Sequence, residues 1–154
     1  MRDDGKGMTA EELRGAVDPF VTDGVKHPRR KVGLGLPFLI QAAEQAGGGW
    51  EISSEKGKGT AVEAWFDAGN VDAPPLGDAP GLFRSVLMFE GPREVVIRRA
   101  RRAGGKPPLD YEARKTELAD ALGGLEDAGA LVLLGQYLRS LEDDAPDGGP
   151  PGGD

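Results

Sequence analysis

Leu36, Leu39, Ile40, Ala43 and Gly47 recur at spacings of three and four, the buried stripe of an amphipathic helix. Pro37 falls in its first turn, where a missing N–H costs nothing, and Gly47-Gly48-Gly49 stops it. The period then changes to two. Trp50–Ser54 and Thr60–Phe66 read as strands, with Glu55–Gly59 as the hairpin loop between them. Trp50 and Ile52 share one face, and Val62, Ala64 and Phe66 another, so these are expected core positions; Trp65 points the opposite way. Ahead of the stripe, Thr9-Ala10-Glu11-Glu12 is a capping box for a short helix through about Val17, ended by Asp18-Pro19-Phe20.

The second half is less regular. Asn70 to Pro80 is a linker of proline, glycine and aspartate. Leu82, Phe83, Val86 and Leu87 fit a helix, Glu94–Arg98 a strand, and Leu109–Glu112 a strand to pair with it. Helices are expected from about Arg114 to Leu122 and from Leu125 to about Leu141. In the latter, Leu131, Leu134, Leu138 and Leu141 form a narrow seam, read as docking on its own domain in preference to dimerising. Asp143 to Asp154 is expected to be a disordered acidic tail.

Composition narrows the function classes. The 154 residues carry a net charge of −7 and only 38% hydrophobic side chains, with 25 glycines and 12 prolines. An acidic chain argues against general nucleic-acid binding. Arg98, Arg99, Arg101 and Arg102 form a dense basic cluster, read as a solvated strand end. Without cysteine there is no disulfide or thiolate site, and the single His27 cannot build a multi-histidine metal site alone. No apolar run approaches membrane-spanning length, and no signal-peptide pattern opens the chain, so a cytoplasmic location without membrane contact is expected.

Three glycine stretches carry the candidate chemistry. Gly33-Leu34-Gly35-Leu36 opens the striped helix, where outward backbone donors at the positive dipole end suit an anion, phosphate above all. It is neither a Rossmann fingerprint nor a P-loop. Taken alone, so short a motif is more readily a glycine-rich helix entry. Asp3-Asp4-Gly5-Lys6-Gly7 reads equally as a tight turn or as backbone held close to a flat ligand beside a carboxylate. Between them, residues 21–31 read as a solvated basic loop or as a mobile lid whose Lys26, Arg29, Arg30 and Lys31 meet a polyphosphate; His27 reads as a plain surface histidine.

The order of these stretches resembles the ATP-binding domain shared by sensor histidine kinases, DNA gyrase, heat-shock chaperones and mismatch-repair ATPases. Asp3–Gly7 looks like its first glycine box, Pro19-Phe20 like the phenylalanine box of histidine kinases, Gly33–Leu36 like the second glycine box, and Gly57-Lys58-Gly59-Thr60 like the late Gly-x-Gly-Thr. The resemblance covers residues 1 to about 68. It implies that Asp3 accepts the amino group of adenine, that Gly5 and Gly7 let the backbone approach the purine, and that Thr60 assists there. It further implies that Gly33, Leu34, Gly35 and Leu36 hold phosphates with Lys31 or Arg30, and that Phe20 anchors the lid. The family's Asn box, which holds magnesium, lies upstream of its first glycine box. The chain is therefore expected to be N-terminally truncated, without the Mg2+ ligand and with no assignable catalytic residue.

The expected fold is α+β, a two-layer α/β sandwich of the Bergerat type with a small α/β C-terminal extension. Its parts would be the ATP-binding domain (1–68), a linker (69–80), the extension (81–142) and the tail (143–154). The second half resembles, more weakly, bacterial stand-alone ATP-binding proteins of the same superfamily. The expected function is ATP binding as a signalling or regulatory ATPase or kinase domain. The alternative is a non-catalytic module whose open sheet edge pairs with a protein partner. For such a truncated chain weak nucleotide affinity, no ATP hydrolysis and self-association are expected.

Overall fold

A computed structural model describes residues 1–18, 35–73, 75, 77–102 and 108–143. They divide into two compact units, Met1–Pro75 and Leu76–Asp154. The architecture is α+β, with helices beside two small antiparallel sheets.

The first unit contains β1 (Arg2–Asp3), α1 (Ala10–Val17), α2 (Gly35–Gln45), β2 (Gly49–Glu55) and β3 (Gly59–Trp65). Its sheet runs β1-β3-β2. Thr9 caps α1 as the sequence predicts: its side chain accepts from Glu12 N–H, and the Glu12 carboxylate accepts from Thr9 N–H. The α2 stripe packs on β2 and β3, with Ala43, Ala46 and Val62 buried. Leu36, Leu39 and Ile40 are half-buried, and Pro37 is buried at the start of the stripe. Phe66 departs from its expected core position. The strand ends at Trp65, so alternation no longer holds Phe66 on the inner face, and it is 40% exposed.

The second unit contains α3 (Ala79–Leu87), β4 (Val96–Arg101), β5 (Leu109–Arg114), α4 (Lys115–Leu122) and α5 (Ala128–Asp143). Leu134 and Leu138 from the α5 seam close on Leu87, Ile97 and Ala113, with Leu141 against the edge of that cluster. The seam thus docks within its own unit. Arg114, at the N-cap of α4, makes no side-chain cap bond. Glu94 supplies the missing acceptor, taking Thr116 N–H and the Thr116 hydroxyl, and that hydroxyl above all holds its carboxyl below the usual range.

The arginine cluster is not the solvated strand end expected. Arg99 Nε and Arg101 donate to the two oxygens of Glu142 at 3.1 and 3.4 Å, and the Tyr111 hydroxyl donates to it at 2.9 Å. These arginine side chains keep only 18% and 13% of their exposure. Burial pushes the Glu142 carboxyl up, but Arg99, Tyr111 and Arg101 more than offset it, so it stays ionised below its ordinary range. Burial, and then the bond to Glu142, push the Tyr111 phenol up. Arg98, paired with Glu112, and Arg102 keep to the surface.

Candidate functional site

The segment 3–8 lies along the β2–β3 hairpin, and the two glycine motifs meet there backbone to backbone. Asp3 pairs with Thr60 and Arg2 with Ala61 in antiparallel register, while Val62 N–H donates to Met1 O at 2.8 Å. Farther along, Gly57 N–H donates to Lys6 O at 2.7 Å and Met8 N–H to Ser54 Oγ at 2.8 Å. Such an approach leaves no room for side chains at two positions. Gly7 has φ +59°, and an added Cβ would overlap the Glu55 carbonyl. Gly59 has φ +108°, and a Cβ there would overlap the carbonyl of Asp3.

This packing fixes a carboxylate. Asp3 Oδ1 accepts from Gly5 N–H at 2.9 Å and from Thr60 N–H at 3.3 Å. Oδ2 has no hydrogen-bond partner among the described residues, and the residue is exposed. Directly opposite residues of an antiparallel pair share a face, so Asp3, Thr60 and Ser54 lie on the same side as Ile52 and Val62. Ser54 Oγ lies 3.0 Å from Thr60 Oγ1 and 3.1 Å from Gly59 O. By the same alternation Arg2, Ser53 and Ala61 belong to the opposite face, and a shallow hollow of about 380 Å³ along the hairpin is lined by these three with Glu55 and Lys58 and also by Asp3, Ser54, Gly59 and Thr60.

The capping glutamate of α1 also reaches the hairpin. Lys56 Nζ donates to both oxygens of Glu12, at 2.9 and 3.0 Å. The Thr9 backbone N–H first, and then Lys56, hold the Glu12 carboxyl down at about 2. The folded value lies below the ordinary one, so the contribution is fully present above the ordinary carboxylate range. It is lost as pH falls from there through about 2. We expect a carbon-detected NMR titration of Glu12 to show this low midpoint, and Lys56→Met to raise it. An ordinary midpoint in the unaltered chain would refute the contact.

The structure therefore brings together Asp3, Gly5, Gly7 and Thr60. Gly35 and Leu36 begin α2, with Gly35 exposed and open space where its Cβ would stand. Among the described residues no hydrogen bond joins them to the Asp3–Thr60 group. Phe20, Lys31, Gly33 and Leu34 lie outside the described residues, as do His27 and the lid of residues 21–31. Sequence reasoning missed Ser54 and the Glu12–Lys56 pair. A signal for Ser54 existed, since a serine two residues after Ile52 falls on the inner strand face. Among the described residues no three His, Cys, Asp or Glu side chains gather to hold a metal ion, and no helix is long and apolar enough to cross a membrane.

No solved structure matches the chain. A family model does match residues 1–70, that of the "Histidine kinase-, DNA gyrase B-, and HSP90-like ATPase". The match spans β1 through β3 and so contains the whole Asp3–Thr60 arrangement. Over residues 1–70, and with them the glycine-bound carboxylate and its hairpin, the chain is thus similar to the histidine kinase-, DNA gyrase B- and HSP90-like ATPases, in the manner of an ATP-binding domain of that kind.

Proposed function

We propose that the first unit binds ATP with its adenine at Asp3 and serves as a signalling or regulatory ATPase or kinase domain. The observation that carries this reading is the anchored carboxylate. Two backbone N–H groups hold Asp3 Oδ1, so Oδ2 is an oriented acceptor with its rotamer already fixed. An exocyclic amino group is the donor it suits, and guanine has none at that place. Thr60 stands beside it, and Gly5 and Gly7 shape the turn that presents it. Gly33, Leu34, Gly35 and Leu36, at the entry to α2, would take the phosphates with Lys31, and Phe20 would seat the lid. Magnesium is expected with the triphosphate in this family, where it neutralises phosphate charge.

Asp3→Asn tests the base contact cleanly. The amide keeps an oxygen for Gly5 and Thr60 but turns a donor toward the adenine amino group. ATP affinity should fall by roughly 1–3 kcal/mol, the cost of a mispaired polar group. GTP affinity should not fall, since guanine presents an acceptor oxygen at that place, which the amide donor suits. Calorimetric titration of the whole chain with both nucleotides decides the matter, and equal losses would refute the assignment. The reading as an interaction module rests on β2, an edge strand of seven residues. It gains ground if the unaltered chain binds no ATP.

A further inference from the structure

We propose that Ser54 is a positioning residue that sets the hydrogen-bond polarity of Thr60, making its hydroxyl an acceptor toward the bound base. The inference rests on the reading of Asp3 and Thr60 as the base-binding pair. It begins with a count of protons. Ser54 Oγ has three polar neighbours: Met8 N–H at 2.8 Å, the Gly59 carbonyl at 3.1 Å and Thr60 Oγ1 at 3.0 Å. A serine hydroxyl has one proton and two lone pairs. Met8 N–H can only donate, so it takes one lone pair. The Gly59 carbonyl can only accept, so that contact is a bond only if it receives the Ser54 proton. The remaining lone pair then faces Thr60 Oγ1, which must give its own proton to Ser54. This arrangement alone makes all three contacts hydrogen bonds.

The consequence falls on the ligand. With its proton committed to Ser54, Thr60 Oγ1 has only lone pairs to offer, and it sits opposite Asp3, whose Oδ2 is likewise an acceptor. The base-facing pair is therefore acceptor–acceptor. It suits the two hydrogens of an exocyclic amino group, or that group and a water bound to it. A threonine with a free rotor would instead accommodate either a donor or an acceptor and would discriminate less. Ser54 also holds the end of the glycine turn through Met8, so its removal has a structural effect that must be separated from the polarity effect.

The test compares ATP with purine riboside triphosphate, which lacks the amino group, on the whole chain. Ser54→Ala should lower the preference for ATP by about 2- to 10-fold, the weight of one neutral hydrogen bond. Thr60→Val should lower it similarly, and Ser54→Thr, which restores a hydroxyl, should retain it. A Ser54→Ala chain that binds both nucleotides more weakly with the preference unchanged would reduce Ser54 to a structural role and overturn the inference. A second measurement needs no nucleotide. The Thr60 hydroxyl proton should exchange slowly in the unaltered chain, show NMR contact to Ser54, and exchange fast in Ser54→Ala. Free exchange in the unaltered chain overturns the inference. Failure to bind either nucleotide would instead refute the ATP reading, and proton exchange would then decide the polarity alone.

Discussion

Gly59→Ala is expected to unfold the site end of the first unit, at a cost of about 3–5 kcal/mol. Two penalties coincide there. The backbone sits at φ +108°, outside the regions open to alanine, and the new Cβ would overlap the Asp3 carbonyl in the neighbouring strand. Backbone atoms on both sides leave nothing flexible to give way, so relief requires β1 to leave β3. Asp3 then loses the Thr60 N–H that holds its carboxylate, and nucleotide binding should go with it. Gly57→Ala separates the two penalties. It too has positive φ, at +83°, but nothing lies within 4 Å of its added Cβ. Its cost should be about 1–2 kcal/mol, the conformational part alone. Both tryptophans, Trp50 and Trp65, lie in this unit and report its urea unfolding. Protection of the Val62 amide reports whether β1 is still paired. If Gly59→Ala keeps that protection and costs no more than Gly57→Ala, the close approach is not what demands glycine.

What could be read from the sequence was what is local. The Thr9–Glu12 capping box, the α2 stripe and the β2–β3 hairpin each depend on residues a few positions apart, and each forms where its pattern predicts. The features that escaped are set by distant partners. β1 is two residues long and has no periodicity to read; its register comes from Thr60 and Ala61 on the far side of α2. Arg99 and Arg101, on β4, looked solvated because their partner, Glu142, comes from the far end of α5. The cap of α4 likewise comes from Glu94, outside the helix it serves. The glycines of 3–8 were legible as a place of close backbone approach. That Gly7 closes on Glu55 of the hairpin is set by the tertiary fold, since the motif names the close approach but not the neighbour.

In the second unit, Leu134→Ala should cost about 2–5 kcal/mol, the range for emptying a fully buried leucine site. Leu134 has no exposed surface and lies in one cluster with Leu138, Leu87, Ile97 and Ala113. Those partners come from α3, α5 and both strands, so the void would open where the elements of the unit converge. Helices on two sides limit how far the site can collapse, which places the expected cost in the upper half of that range. The adjacent Leu133 is the control: it sits on the same helix but is 53% exposed, and its truncation should cost under about 1 kcal/mol. The helix propensities of the two substitutions are the same, so their difference measures burial alone. Tyr111 and Tyr137 both lie in this unit and report its unfolding in near-ultraviolet spectra. Equal losses for the two alanine variants would mean that α5 does not dock through its leucine seam, and the assignment of the core would fall with it.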